Sequence, residues 1–262
     1  MATENYKPNR KQLVDILWTG GWDSTYRVLC LSRMNVILQP HYIIYDGRRS
    51  TKQELDAIRD ITEDILRDPR TKCELKPLIL TNEKNIPPDE EISSAFEIIR
   101  QHVLIGIQYE YLARYAKDIE NIEIGIETGG QTDLMINTMG KMNYVDNDGL
   151  SYWEIDKHNS QKALLDVFGH FRWPLYQMGK VDMKEDSERQ GFAHIMDKTW
   201  FCHFPAKNRP CGSCFPCRFT IQGGMGSRLP HRAIKRYNTD QKYKENRIYQ
   251  VYKRFRRKVL NY

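Results

Sequence analysis

Short apolar runs alternate with amphipathic stretches along the first half of the chain. The apolar runs are rich in β-branched and aromatic residues and predict strands at 13–18, 41–45, 75–80 and 122–126. Apolar positions that recur every three or four residues predict helices at 24–34, 52–67 and 91–117. Alternating strands and helices are typical of a parallel sheet that is covered on both faces. We therefore expect an α/β fold with a doubly wound parallel sheet.

The ends of the predicted strands carry residues that suit ligand binding. Gly20, Asp46 and Glu127 each lie at or just after such an end. Ligands of open parallel sheets bind at the carboxyl ends of the strands, near the point where the strand order reverses. These positions are therefore candidates for a binding site.

The pattern changes after residue 126. Residues 133–159 are rich in Asn, Asp, Gly and Met, which predicts a long active-site loop or a small insertion. Helical periodicity returns at 161–168 and 181–190 and precedes a cluster of cysteines. We predict three parts: an α/β domain over 1–200, a cysteine knuckle packed on it over 201–227, and a basic helical tail over 228–262.

Composition narrows the class of protein. The 262 residues are 40% hydrophobic and 28% charged, which suits a folded globular protein and excludes collagen, coiled coil and disorder. The first eleven residues are polar, and no apolar run approaches the roughly eighteen residues of a membrane span. We expect a cytoplasmic homodimer that does not associate with membranes.

The net charge of +6 is distributed unevenly along the chain. Residues 228–262 contain 12 Lys and Arg against 2 Asp and Glu, whereas residues 1–227 contain 28 against 32. The tail also carries an apolar stripe, which we expect to dock: Ile248, Val251, Phe255 and Val259. Such a tail favours binding to tRNA, DNA or an acidic protein surface, and a solvated charged face is the alternative.

A glycine turn lies between the first predicted strand and the first predicted helix. Its sequence is Thr19-Gly20-Gly21-Trp22-Asp23-Ser24-Thr25. Paired glycines let the backbone amides point at an anion, and Asp23, Ser24 and Thr25 offer caps and hydroxyl donors at the start of the helix. The spacing matches neither a Walker A motif nor a Rossmann motif. The turn predicts a phosphate site, and the alternative is a plain strand-to-helix turn.

Four of the six cysteines lie within sixteen residues. Cys202, Cys211, Cys214 and Cys217 are separated by eight, two and two residues. Two overlapping Cys-x-x-Cys turns direct their thiolates at one point, and four thiolates leave no open position on a zinc ion. The spacing predicts one structural zinc per chain. An iron-sulfur cluster, a redox disulfide and uncoordinated cysteines are the alternatives.

The glycine turn resembles the Ser-Gly-Gly-x-Asp-Ser signature of the PP-loop ATP pyrophosphatases, with Thr19 in place of the first Ser. Together with the cysteine spacing, it resembles the 7-cyano-7-deazaguanine synthases of queuosine biosynthesis over roughly residues 13–224. Supporting similarities are the segment from Tyr45 to Arg49 followed by Glu54, and Pro174-Leu175 followed by Lys180.

The resemblance implies an ATP-dependent ligase that releases pyrophosphate with the help of magnesium. A substrate carboxylate is adenylated, and an amine then displaces AMP to give an amide or a nitrile. The substrate would be 7-carboxy-7-deazaguanine or a related carboxylate. The implied catalytic residues are Asp23, Ser24 and Arg48, the implied substrate residues are Glu127 and Asp133, and the implied ATP-binding residues are Trp18, Thr19, Gly20, Gly21, Trp22, Asp23, Ser24, Thr25 and Tyr45.

The chain departs from that family in the segments that would recognise the base. Gln101-His102-Val103 stands where the family has an Arg-Asn pair, and the family's Asp-rich loop is replaced by residues 127–133. One alternative is a diverged enzyme that joins a deazaguanine to a protein or a nucleic acid in an antiviral defence system. Another is a zinc protein that binds nucleic acid without catalysis.

Overall fold

The computed structural model describes residues 11–119, 121–127, 129–147, 149–246, 248–249 and 251. The described residues group into two compact units. The first unit takes the described residues up to Tyr45 and then Ile58–Thr199. The second takes Asp46–Ala57 and the described residues from Trp200 onward. The three-part division made from the sequence stays a prediction.

The first unit is built on a parallel sheet. The strands are β1 (Gln12–Leu17), β2 (Val36–Ile44), β3 (Glu74–Leu75), β4 (Ile79–Asn82), β5 (Ile122–Glu123), β6 (Met142–Val145), β7 (Tyr152–Ile155) and β8 (Phe171–Arg172). Five of them follow the order β3-β2-β1-β5-β8, and β4 also pairs with β2. All of these pairs are parallel, whereas β6 and β7 form an antiparallel pair. The expected α/β fold with a mostly parallel central sheet is confirmed.

Strand β2 changes partner halfway along its length. Its first half pairs with β3 at Ile37 and Leu38, and its second half pairs with β4 from His41 onward. Pro40 lies between the two halves and lacks the N–H group that a strand interior needs. Beside it, Gln39 Nε2 donates to the carbonyl oxygen of Pro77 at 2.8 Å, so a side chain links β2 to the segment between β3 and β4.

The described part of the chain includes ten α-helices, α1 to α10, and two short 3-10 helices over Glu83–Asn85 and Gly226–Arg228. Eight lie wholly or partly in the first unit: α1 (Trp22–Ser32), α2 (Thr51–Arg67), α3 (Glu90–His102), α4 (Gln108–Lys117), α5 (Gly130–Met139), α6 (Lys162–Phe168), α7 (Lys180–Arg189) and α8 (Ala193–Met196). The second unit adds α9 (Phe215–Gln222) and α10 (His231–Lys242). Among the described helices, none combines the length and the apolar character needed to cross a bilayer.

The long helix expected over 91–117 is two helices. Helix α3 ends at His102, and α4 begins at Gln108. The break contains Gly106 and the β-branched residues Val103, Ile105 and Ile107, which all have low helix propensity. Val103 is buried in the core, whereas Leu104 is exposed. The break therefore turns the chain while it keeps one apolar contact.

The loop expected over 133–159 is largely ordered structure. Helix α5 buries Met135, Ile136 and Met139, which follow the helical spacing of one apolar face. The pair β6 and β7 follows it. The alternative of a long loop was wrong, because these ordered elements are short and carry many polar residues, and the alternative of a small insertion stays a prediction.

The basic tail is only partly described. Helix α10 covers His231–Lys242, and a turn follows it. Ile248 and Val251 of the expected apolar stripe are exposed, so the expectation that the stripe docks is wrong for these two residues. Phe255 and Val259 lie outside the described residues.

Candidate functional site

The strand order of the sheet reverses at β1. The chain runs from β1 outward through β2 to β3 and β4, and then continues on the other side of β1 with β5 and β8. The carboxyl ends of β1 and β5 therefore flank a switch point, where open parallel sheets bind their ligands. The segments after β1, β5 and β8 carry the glycine turn, Glu127 and Lys180, respectively.

The glycine turn is closed by hydroxyl groups. Gly20 has a φ of 67°, a left-handed conformation that favours glycine. The backbone N–H of Thr19 donates to Ser24 Oγ at 3.3 Å, and Thr19 Oγ1 lies 3.3 Å from the same oxygen. The N–H of Gly21 donates to Thr19 Oγ1 at 3.4 Å. Ser24 therefore holds the turn against the start of α1.

The expectation that Asp23, Ser24 and Thr25 cap helix α1 is wrong. Gly21 occupies the N-cap position, and no side-chain cap hydrogen bond is formed there among the described residues. Thr25 Oγ1 instead accepts a hydrogen bond from Trp18 Nε1 at 2.9 Å. A helix N-terminus without a side-chain cap leaves amide donors and a partial positive charge that suit an anion.

Gly125 allows the segment after β5 to approach the start of α1. A Cβ atom at this position would lie 2.9 Å from the backbone N of Ser24 and 3.0 Å from its Cα. Both atoms belong to backbone, so neither can move aside as a flexible side chain would. Gly125 thereby brings the chain that leads to Glu127 against the glycine turn.

Lys180 joins the glycine turn to the segment after β5. Its Nζ lies 3.0 Å from Asp23 Oδ1 and also contacts Glu127 Oε1. The three side chains are 24–27% exposed, so the cluster is reachable from solvent. Two carboxylates and one ammonium group thus meet beside the uncapped end of α1.

Burial and charge shift the titration of this cluster. Burial raises the pKa of Asp23 by more than Lys180 lowers it. Burial and the charge of Asp23 raise the pKa of Glu127. Burial acts to lower the pKa of Lys180, but Asp23 and Glu127 outweigh it and raise that pKa. The ammonium group is therefore charged at neutral pH. A second cation at this point would reduce the electrostatic repulsion between the two carboxylates.

A buried ion pair fixes α1 on the sheet. Arg27 Nε and Nη2 each donate to a carboxylate oxygen of Glu123 at 2.7 Å. Arg27 lies one turn after Asp23 on α1, and Glu123 lies in β5. This bidentate pair sets the orientation of the helix whose first turn carries the candidate phosphate site.

Asp133 is placed at the start of helix α5. Its Oδ2 accepts a hydrogen bond from the backbone N–H of Gly129 at 2.9 Å. Gly129 and Gly130 both have positive φ values, and a Cβ atom at either position would meet nothing within 4 Å. Asp133 thus shapes the chain that follows Glu127, and open space adjoins the two glycines.

The aromatic residues expected to bind ATP have structural contacts. Trp18 and Trp22 are buried. The ring of Tyr45 stacks on Tyr111 with centroids 5.6 Å apart.

Arg48 lies in the second unit, together with the residue it pairs with. Its Nη1 donates to Glu54 Oε2 at 3.0 Å, and the other Glu54 oxygen accepts from Ser50 Oγ at 2.6 Å. Arg49 is exposed. The structure therefore brings Asp23 and Glu127 together around Lys180, and it places Arg48 in a separate ion pair with Glu54.

Two residues of this site were not among the candidates from the sequence. Lys180 supplies the cation, and its signal was the stretch from Pro174-Leu175 to Lys180. Gly125 allows the segment after β5 to approach Ser24 closely. These two segments are distant in sequence, so no local pattern could predict their contact.

The second unit contains a compact cluster of the four expected cysteines. The Sγ atoms of Cys202, Cys211, Cys214 and Cys217 all lie within 4.8 Å of one another, and the four residues are buried. The backbone N–H groups of Ser213 and Cys214 donate to Cys211 Sγ at 3.4 and 3.3 Å. Such a cluster can hold a metal ion such as zinc. Cys30 and Cys73 lie elsewhere, in the first unit.

Local sequence explains the shape of the cysteine cluster. Cys214 is the N-cap of α9, Pro216 lies in its first turn, and Cys217 follows on the same turn. Gly212 has a φ of 77°, and a Cβ atom there would lie 2.1 Å from the carbonyl oxygen of Ala233 in α10. Only glycine therefore permits both the turn between the cysteines and the packing of α10.

The fold and these sites define an α/β protein with a mostly parallel sheet and a four-cysteine cluster that can bind metal. Comparison with models of known protein families and with curated proteins finds no match to this chain. Its function is therefore argued from the sites themselves.

Proposed function

We propose that the protein is an ATP-dependent ligase of the PP-loop type that activates a carboxylate by adenylation. The observation that carries this proposal is the meeting of the glycine turn, Asp23, Glu127 and Lys180 at the switch point of the sheet. A nucleoside triphosphate with magnesium needs such groups: amides and a cation for the phosphates, and carboxylates for the metal.

Different residues of the site bind the pyrophosphate part of ATP and the magnesium ion. The backbone of Gly20 and Gly21 and the first turn of α1 hold the pyrophosphate, and Ser24 fixes the shape of this turn. Asp23 and Glu127 fit a magnesium ion because both contact the same Lys180 nitrogen and therefore face one point. A magnesium ion held there would supply positive charge to offset that of the phosphates. Lys180 would supply a second positive charge at the same site.

The proposed reaction has two steps. A carboxylate oxygen of the substrate attacks the α-phosphorus of ATP, and the bond from that phosphorus to pyrophosphate breaks. An amine then attacks the acyl carbon, loses a proton, and displaces AMP to give an amide. This chemistry needs alignment and stabilisation of charge on phosphate oxygens rather than a nucleophile from the protein. The resemblance in sequence favours a deazapurine carboxylate as the substrate.

The test is product analysis by mass spectrometry. The protein is incubated with ATP, magnesium, 7-carboxy-7-deazaguanine and ammonia. We expect AMP and pyrophosphate together with an amide or a nitrile. Ser24→Ala should lose about tenfold or more of this activity because the turn loses its hydroxyl. Ser94→Ala, which changes an exposed serine of α3, is the matched control. Formation of ADP and phosphate would overturn the proposal.

We infer that the four-cysteine cluster of the second unit holds one structural zinc ion. Four buried sulfur atoms within 4.8 Å of one another give a closed tetrahedral set without an open position for catalysis. Metal analysis should find one zinc per chain, and Cys214→Ser should lower the melting temperature because binding of the metal is coupled to folding. Cys73→Ser, which lies outside the cluster, is the control. Iron with visible absorption would assign an iron-sulfur cluster instead.

A further inference from the structure

The second unit contains a basic groove beside the cysteine cluster. The groove has a volume of about 1050 Å³. Its cationic residues come from three segments, namely the loop after Cys202, helix α9 and helix α10: Lys207, Arg209, Arg218, Arg232, Lys235 and Arg236. Asp240 is an acidic residue of its lining, and its Oδ1 accepts a hydrogen bond from Tyr249 at 2.7 Å. We call the surface formed by these six cations and Asp240 the basic groove.

Packing holds the segments of the basic groove in place. Helix α10 lies against Gly212, and Leu229 and Ala233 are buried in one apolar cluster with the four cysteines. The turn that carries Lys207 is closed by two backbone hydrogen bonds between Ala206 and Arg209, at 2.8 and 3.2 Å. A surface that is ordered before binding loses less conformational entropy when a ligand docks.

Five of the six cations of the basic groove have no carboxylate partner in the described part of the chain. Among the described residues, no carboxylate forms an ion pair with Lys207, Arg209, Arg218, Arg232 or Lys235. Residues 200–262 contain 15 Lys and Arg against 2 Asp and Glu, whereas residues 1–199 contain 25 against 32. Clustered cations repel one another, and a polyanion in the basic groove would relieve that repulsion.

Exposed aromatic rings accompany the cations. Phe204 and Phe215 line the basic groove and are exposed. Phe215 is 69% exposed and stacks on Phe219, which is 47% exposed, with ring centroids 5.9 Å apart and planes at 19°. Arg218 lies between these two residues on α9. Flat apolar faces beside free cations are the elements that bind unpaired nucleic-acid bases and their phosphates.

We propose that the basic groove binds single-stranded nucleic acid. Its cations contact successive phosphates. Phe215 in its lining and Phe219, which stacks beside Phe215, offer faces on which unpaired bases stack. An acidic protein would use the cations but would leave the aromatic faces exposed to water. A duplex keeps its bases stacked inside and would not use the rings. The assignment does not depend on the adenylation proposed for the first unit.

The first experiment measures fluorescence anisotropy of labelled oligonucleotides with the full-length, metal-loaded protein. The probes are an unstructured RNA of about 20 nucleotides, the DNA of the same sequence, and the corresponding duplex. We expect both single strands to bind more tightly than the duplex, with an affinity that falls as salt rises. Equal binding of the duplex would overturn the assignment to single strands, and no binding at low salt would overturn the site.

Charge-reversal variants test where the strand binds. R232E/K235E removes two phosphate contacts, so we expect at least a tenfold loss of affinity and a salt slope that is shallower by about 1.4. The matched control is R67E/K184E, which makes the same charge change at exposed positions of α2 and α7. An equal loss of affinity in both variants would show that binding depends only on the net charge of the protein, and it would contradict the site.

Aromatic variants test whether bases are bound. F215A/F219A should weaken binding of single strands about tenfold or more without changing the salt slope, since stacking does not release counterions. Heparin, a polyanion without bases, is the comparison probe and should bind both proteins equally. If the loss of the rings affects neither probe, the basic groove is a general polyanion site and the proposal fails. Zinc content and melting temperature verify that the variants fold.

Discussion

At the scale of single residues, the site depends on a few side chains whose partners lie far away in sequence. Lys180 reaches Asp23 and Glu127, which precede it by 157 and 53 positions. Local pattern identified Glu127 because it follows a predicted strand end, and Asp23 because it lies in the glycine turn. It did not identify their common partner, because such a contact is fixed by the order of the strands. Arg48 shows the reverse case, since the resemblance implied a catalytic residue and the structure pairs its guanidinium with Glu54.

Lys180→Met tests the role of the shared cation. The substitution keeps much of the volume and removes the charge, so Asp23 and Glu127 lose their neutralising partner and the phosphates lose a ligand. We expect ATP turnover to fall about a hundredfold or more, which corresponds to the loss of one strong electrostatic contact in the transition state. The measurement is steady-state release of pyrophosphate.

Lys184→Met is the matched control for Lys180→Met. Lys184 lies one turn further along α7, is exposed, and approaches Glu188 only at 4.0 Å. ATP turnover by the Lys184→Met variant should equal that of the unmodified protein. Equal turnover in both variants would remove Lys180 from the site.

Cys30 provides a test of pH dependence. Burial raises the pKa of the Cys30 thiol to about 11, although Tyr26 and Arg27 act in the opposite direction. A group with a raised pKa in the folded state stabilises fully below its unfolded pKa, near 8.5, and this stability is lost as the pH rises towards 11. The stability difference between the unmodified protein and Cys30→Ala should therefore shrink between about pH 8 and pH 10 in urea unfolding. A constant difference would contradict the shift.

At the scale of elements, the sequence predicted some strands and helices closely and missed the bounds of others, such as the strand expected over 75–80, which is the two strands β3 and β4. Strand β1 and helices α2 and α6 fall close to their expected positions, because each has a long or clearly periodic apolar pattern. The break between α3 and α4 was missed because Gly106 is a weak signal within an otherwise helical pattern. The pair β6 and β7 was missed because a short strand buries too few residues to show alternation.

The ion pair between α1 and β5 is tested by a double-mutant cycle. Arg27→Met leaves the buried Glu123 carboxylate without its partner, and Glu123→Gln leaves the guanidinium without its counter-charge. Each single change should lower the free energy of unfolding by about 3–5 kcal/mol. The double variant R27M/E123Q should cost less than the sum of the two, because it leaves no unpaired charge. Strict additivity in urea unfolding would show that the two groups do not interact.

At the scale of the whole molecule, two units carry different chemistry. The first unit has the mostly parallel sheet, whose reversal at β1 gathers the candidate nucleotide site. The second has the four-cysteine cluster and the basic groove. The uneven charge of the sequence follows this division, since residues 200–262 hold the excess of Lys and Arg. The cysteine spacing predicted the cluster because the ligands are close in sequence, whereas the segment Asp46–Ala57 joins that unit through contacts no local pattern reveals.

The central claim, activation of a carboxylate by adenylation, is tested most directly by isotope transfer. The protein is incubated with ATP, magnesium, ammonia and 7-carboxy-7-deazaguanine labelled with ¹⁸O in the carboxylate, and the AMP is examined by mass spectrometry. When an amine displaces AMP from an acyl adenylate, one oxygen of the original carboxylate stays on the phosphate. We therefore expect AMP that carries one ¹⁸O atom. AMP without the label, ADP in place of AMP, or no nucleotide product would contradict it.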